Sequence, residues 1–124
     1  MKRILLLLLL CSTTLLMAQQ TDPIQEAMAS YDYETALSLI AQKKPATPLL
    51  LQKGKALRSL GLNAEALSTY QEIIGKDSTN TRALIEAAEC CRTLAKYKQA
   101  SAYYEKVLDL TPENKYVRIQ YINL

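Results

Sequence analysis

The side chains best suited to chemistry are few in this chain and badly spaced for it. Histidine is absent from all 124 residues, and the three cysteines are Cys11 and the adjacent pair Cys90 and Cys91. Zinc and haem sites need cysteines or histidines at set separations such as Cys-x-x-Cys, and none is present. Adjacent cysteines on a helix diverge, so the pair is read as two small buried hydrophobes and not as a disulfide or a redox centre. Glu86 and Glu89 lie three apart and would share one helix face, but that spacing is routine on helices and no base or nucleophile accompanies them. A nucleophile elbow of the Gly-x-Ser-x-Gly form is missing, and three glycines in the whole chain build no phosphate-cradling loop. The expectation is a protein with no catalytic residues, no metal and no cofactor.

Elements must then be sought that position contacts with another molecule. The N-terminus comes first. Lys2 and Arg3 precede the apolar run Ile4 to Leu10, then Cys11-Ser12-Thr13-Thr14 and Leu15 to Ala18. This is the layout of an export signal over residues 1–18 cleaved after Ala18. The run is shorter than the roughly 20 apolar residues of a spanning helix. An uncleaved N-terminal anchor is one alternative, and lipidation at Cys11 after Leu8-Leu9-Leu10 is another, although Leu10 is larger than that motif prefers. The predicted location is the periplasm or cell envelope, with no membrane span in the mature chain. Loss of Lys2 and Arg3 lowers the net charge from +3 to +1, with acidic and basic residues interleaved, so nucleic acid is not an expected partner.

Internal repetition decides the architecture. The segment from Leu60 to Ile74 lies over Leu94 to Leu108 without gaps, with Ala66 and Ala100, and Tyr70 and Tyr104, each 34 positions apart. In this pattern the sequence resembles the tetratricopeptide repeat. That resemblance implies an all-α fold of antiparallel helix-turn-helix units stacked as a short right-handed α-solenoid. Two full units are placed at 47–80 and 81–114, and a degenerate helix pair at 22–46. Residues 115–124 are read as a further or capping helix, despite a strand-like alternation of Val117, Ile119 and Tyr121. Helix-crossing positions are Gly54, Ala66, Tyr70, Ala88, Ala100, Tyr104 and Pro112, where small residues admit close backbones and the proline stops the second helix. Leu50 and Leu57 stand where the family often has Trp and Tyr, and Lys53 and Ser78 depart from its pattern. The degenerate copy is short, with Ala36 to Ala66 spanning 30 positions, and Pro45-Ala46-Thr47-Pro48 is expected to end its second helix early.

By the same resemblance, first helices line a concave groove that takes a peptide or partner protein. The register assigns to it Leu51, Gln52, Lys55, Arg58 and Ser59 from one unit, and Ile85, Glu86, Glu89, Arg92 and Thr93 from the next. A Lys and Asn clamp for a terminal carboxylate is not expected, because Leu51, Ile85 and Glu89 do not complete it. A purely structural or assembly subunit, or the N-terminal part of a longer array, is the alternative function. Val117, Tyr121 and Leu124, flanked by Ile119 and Ile122, predict an exposed apolar stripe suited to self-association.

Overall fold

The computed structural model describes residues 2–4 and 21–124. Apart from residues 2–4, the export signal, with Cys11 and Ala18, lies outside the described residues. Among the described residues there is no strand, and no helix is long and apolar enough to cross a membrane. Seven helices follow one another from Pro23: α1 (Pro23–Ala29), α2 (Tyr33–Ala41), α3 (Thr47–Ser59), α4 (Asn63–Lys76), α5 (Thr81–Thr93), α6 (Tyr97–Leu110) and α7 (Lys115–Ile122). Each packs on the next in the chain, as expected when every helix carries one apolar stripe that only a neighbour can cover.

Helix boundaries follow local chemistry. Asn80 and Asn114, 34 residues apart, accept from the backbone N–H of Ala83 and Val117 at 3.0 and 3.1 Å and so cap α5 and α7. Asp22 and Asp32 cap α1 and α2 in the same way. The first helix of each pair ends in a Schellman turn. Asp32, Leu62 and Lys96 donate their N–H to the carbonyls of Ala27, Leu57 and Cys91, and Tyr31, Gly61 and Ala95 adopt positive φ. The second helix of the first pair is trimmed ahead of the segment Pro45-Ala46-Thr47-Pro48, as the sequence implies. α2 already stops at Ala41, and Pro48 sits in the first turn of α3, where its missing N–H costs nothing. Pro112 is not a packing residue: it is exposed in the turn between α6 and α7.

The core runs unbroken from Leu50 to Val117, with Ala66, Ala88, Ala100, Tyr104, Ile73 and Val107 at zero exposure. Cys90 and Cys91 are buried free thiols within it. Ile24, Ala27, Ala36 and Ile40 are buried too but lie outside that continuous cluster, so the short first pair adds a separate patch. At Gly54 the helices of one pair come close together. A Cβ there would stand 2.6 Å from Cε1 and 2.8 Å from Oη of the buried Tyr70. α7 corrects the sequence reading: Val117 is fully buried and Tyr121 is half-buried with its hydroxyl donating to Glu105 Oε1 at 2.7 Å. Both face the chain's own α6, because α7 is the cover of that helix, and neither is free for self-association.

The two helical glycines predict opposite outcomes for one substitution. Gly54→Ala pushes a methyl into the Tyr70 ring, a strain of about 1–3 kcal/mol that outweighs roughly 1 kcal/mol of helix propensity. Gly75→Ala meets open space and should be neutral or stabilising by up to about 1 kcal/mol. Denaturant melts of the two variants should therefore shift in opposite directions. In the turns, Ala95→Gly relieves a left-handed conformation that costs an L-residue about 1–2 kcal/mol. Its melting temperature should rise, whereas Ala95→Val should lower it.

Candidate functional site

Residues from α3, the start of α4 and α5 surround an open depression of about 630 Å³. Lys55, Arg58 and Ser59 reach it from α3, Asn63 from the first turn of α4, and Arg82, Glu86 and Thr93 from α5. Arg58 Nη1 donates to Glu86 Oε2 and ties the two first helices together. Burial disfavours the Arg58 charge, yet the Glu86 carboxylate more than offsets this and raises its pKa. Three cations against one acid, with Lys55 and Arg82 exposed, leave the depression positive.

The structure thus brings together Lys55, Arg58, Ser59, Glu86 and Thr93 of the sequence-derived groove. Leu51 and Ile85 turn partly inward and pack on the core, and Gln52 is half-buried outside the depression. Arg92 lines a different hollow of about 420 Å³ with Thr93, Tyr97, Asn123 and Leu124. Sequence reasoning missed Arg82 and Asn63. Arg82 was within reach of it, because Glu86 follows four residues later on the same helix face. Asn63 was not, since it begins a second helix and joins the site only through the α3–α4 turn.

Glu89 is the main correction. It is only 6% exposed and belongs to no groove surface. Its Oε1 accepts from the hydroxyls of Tyr104 at 2.6 Å and Tyr116 at 3.1 Å, and its Oε2 from Arg92 Nη2 at 2.7 Å. One carboxylate therefore joins α5, α6 and α7. Burial by itself would raise its pKa, but the hydrogen bonds from Tyr104, Arg92 and Tyr116 hold it below the usual carboxylate value. The Tyr104 hydroxyl is pushed up by burial and by that carboxylate. Burial also pushes the Cys90 thiol up to about 11, which keeps it protonated and unreactive at neutral pH.

Residues 81–114 match the family described as Tetratricopeptide repeat. No curated protein matches the chain in sequence. Several solved structures share its fold. The first TPR of Spaghetti (RPAP3) bound to HSP90 peptide SRMEEVD superposes with a TM-score of 0.73 at 21% identity, covering 81% of this chain and 82% of that one. An Arabidopsis OM64 TPR domain gives 0.72 at 17%, covering 81% and 86%. PcrH in complex with the chaperone binding region of PopB gives 0.66 at 18%, covering 81% and 84%.

The depressed Glu89 pKa fixes a sign for the pH dependence of folding. Its contribution is fully present above the unfolded value near 4.5 and is lost as pH falls through the lower folded value. Glu89→Gln should melt lower than wild type at pH 7, and the gap should narrow at pH 3. Glu89→Ala orphans the buried Tyr104 hydroxyl and should cost about 1–3 kcal/mol.

Proposed function

We propose that this chain, which has the fold of tetratricopeptide-repeat domains, is a non-catalytic module that holds an acidic peptide segment of a partner protein against α3 and α5. The observation that carries this reading is the positive depression: Lys55 and Arg82 are exposed on facing first helices, with Arg58 fixed between them by Glu86. Oriented cations on a rigid helical wall attract and align carboxylates, and Asn63, Ser59 and Thr93 supply hydrogen-bonding groups at its edge. Two of the similar structures are complexes, one with the HSP90 peptide SRMEEVD and one with the chaperone binding region of PopB, which supports a peptide or protein segment as the class of ligand. The cell envelope is the proposed location, and it rests on the export signal read at residues 1–18. The mature protein should then begin at Gln19 when its mass is measured after export.

A second reading, assembly through α7, draws on Ile119 at 55% and Ile122 at 73% exposure, with Leu124 beside them. These, and not Val117 or Tyr121, are the apolar groups available to a second copy. Light scattering separates the readings: a mass that doubles with concentration and reverts in Ile119→Asp favours assembly.

The peptide reading has its own measurement. Fluorescence anisotropy with the heptapeptide SRMEEVD as an acidic probe should show binding that weakens with salt and falls at least tenfold in the Lys55→Glu, Arg82→Glu double variant. Both positions lie outside the Arg58–Glu86 tie, so the fold should be intact by circular dichroism. Equal affinity for an all-lysine analogue, or no loss in the double variant, overturns the proposal.

A further inference from the structure

The opposite side of α3 carries a second hollow that the peptide face does not use. Residues two apart on a helix point about 200° away from each other, so Lys53 faces away from Lys55. A cavity of about 510 Å³ opens there between α2 and α3, walled by Leu37, Ile40, Leu49, Leu50 and Leu57. The repeat explains why it exists. Ile73 in α4 and Val107 in α6 occupy the same repeat position and are fully buried. In the first pair, which runs 30 residues ahead of α4, that position is Lys43. It is exposed and lies past Ala41, where α2 ends. The aliphatic plug of the later pairs is therefore missing, and the space it would fill stays open.

Charge at this cavity is positive on balance, two lysines against one acid. Lys43 and Lys53 both line it, Lys53 half-buried, and among the described residues neither has an acidic partner within ion-pair distance. Glu72 also reaches the rim, but its Oε1 is shared with Lys76 Nζ at 3.4 Å. Two lysines without acidic partners at the rim of an aliphatic hollow offer an anion charge-assisted hydrogen bonds. An aliphatic chamber of this size with a few polar groups at its mouth has the form of a small-molecule site.

We propose that this cavity binds a free single-chain anionic amphiphile, its aliphatic tail in the place of the missing plug and its anionic head between Lys43 and Lys53. The proposal is independent of the peptide face. Isothermal titration of the full chain with dodecanoate, below its micelle concentration, should saturate at one site. Dodecyltrimethylammonium, with the same tail and the opposite charge, should bind at least tenfold more weakly. Lys43→Ile, which restores the residue type of Ile73, and Lys53→Met, which keeps the stem and removes the charge, should each weaken dodecanoate at least tenfold. Lys55→Glu with Arg82→Glu should leave it unchanged. No saturable dodecanoate binding to the wild-type chain, equal binding of the cationic amphiphile, or full affinity in a folded Lys53→Met would overturn the assignment; the first two readings need no variant to fold.

Discussion

Helix pairs stack into a continuous core only where two backbones come close enough for the side chains around the crossing to interlock. In this chain that closeness rests on Gly54 lying under the ring of Tyr70, with less room than a methyl group requires. The bulk of the tyrosine is useful only because its partner has none: a 1%-exposed aromatic ring spans the gap and holds α3 against α4. Ala66, Ala88 and Ala100, all fully buried, keep the other crossings tight. Dense packing of this kind leaves little slack, so the spacing of small residues acts as the ruler of the whole array.

The second full pair adds a polar constraint to the apolar one. Position 55 holds an exposed lysine, whereas its repeat equivalent, Glu89, is buried under three hydrogen bonds. A buried carboxylate is costly unless every lone pair is engaged, and here Tyr104, Tyr116 and Arg92 engage it from three directions. The result orients α7, which contributes Val117 to the core and Tyr116 to the carboxylate. Identical helical scaffolding thus serves an outward cation in one unit and an inward anion in the next, and the face between them is positive because one of its acids has turned inside.

Irregularity in the repeat matters as much as its regularity. The first pair has helices of seven and nine residues where the later pairs have thirteen and fourteen. Its buried residues Ile24, Ala27, Ala36 and Ile40 form a separate patch, and its missing last turn leaves a hollow beside Leu49, Leu50 and Leu57 of α3. Meanwhile the Schellman turns persist in all three pairs even where no glycine is present, at Tyr31 and Ala95. Two turn bonds and the packing on either side hold those residues in a conformation they disfavour in isolation.

The sequence by itself determined the helical period, the 34-residue unit, the small crossing residues and the lack of histidine and of any Cys-x-x-Cys spacing. These are local or periodic properties: a stripe of apolar side chains, a capping asparagine or a missing histidine is visible without knowing what lies across from it. Burial at Cys90 and Cys91 is legible for the same reason, since Ala56 and Leu57, 34 positions earlier, hold the same places in the repeat and are buried too. What only the tertiary structure decided was direction at the ends of long side chains. Register places Glu89 on a first helix beside Glu86, but Tyr104 and Tyr116, 15 and 27 residues later, draw it inward, while Arg58 draws Glu86 across the groove. In the same way Val117 reads as an exposed apolar residue until α6 is set against it. Contacts between distant segments depend on how neighbouring helices rotate to close the core, and periodicity along one helix does not contain that rotation.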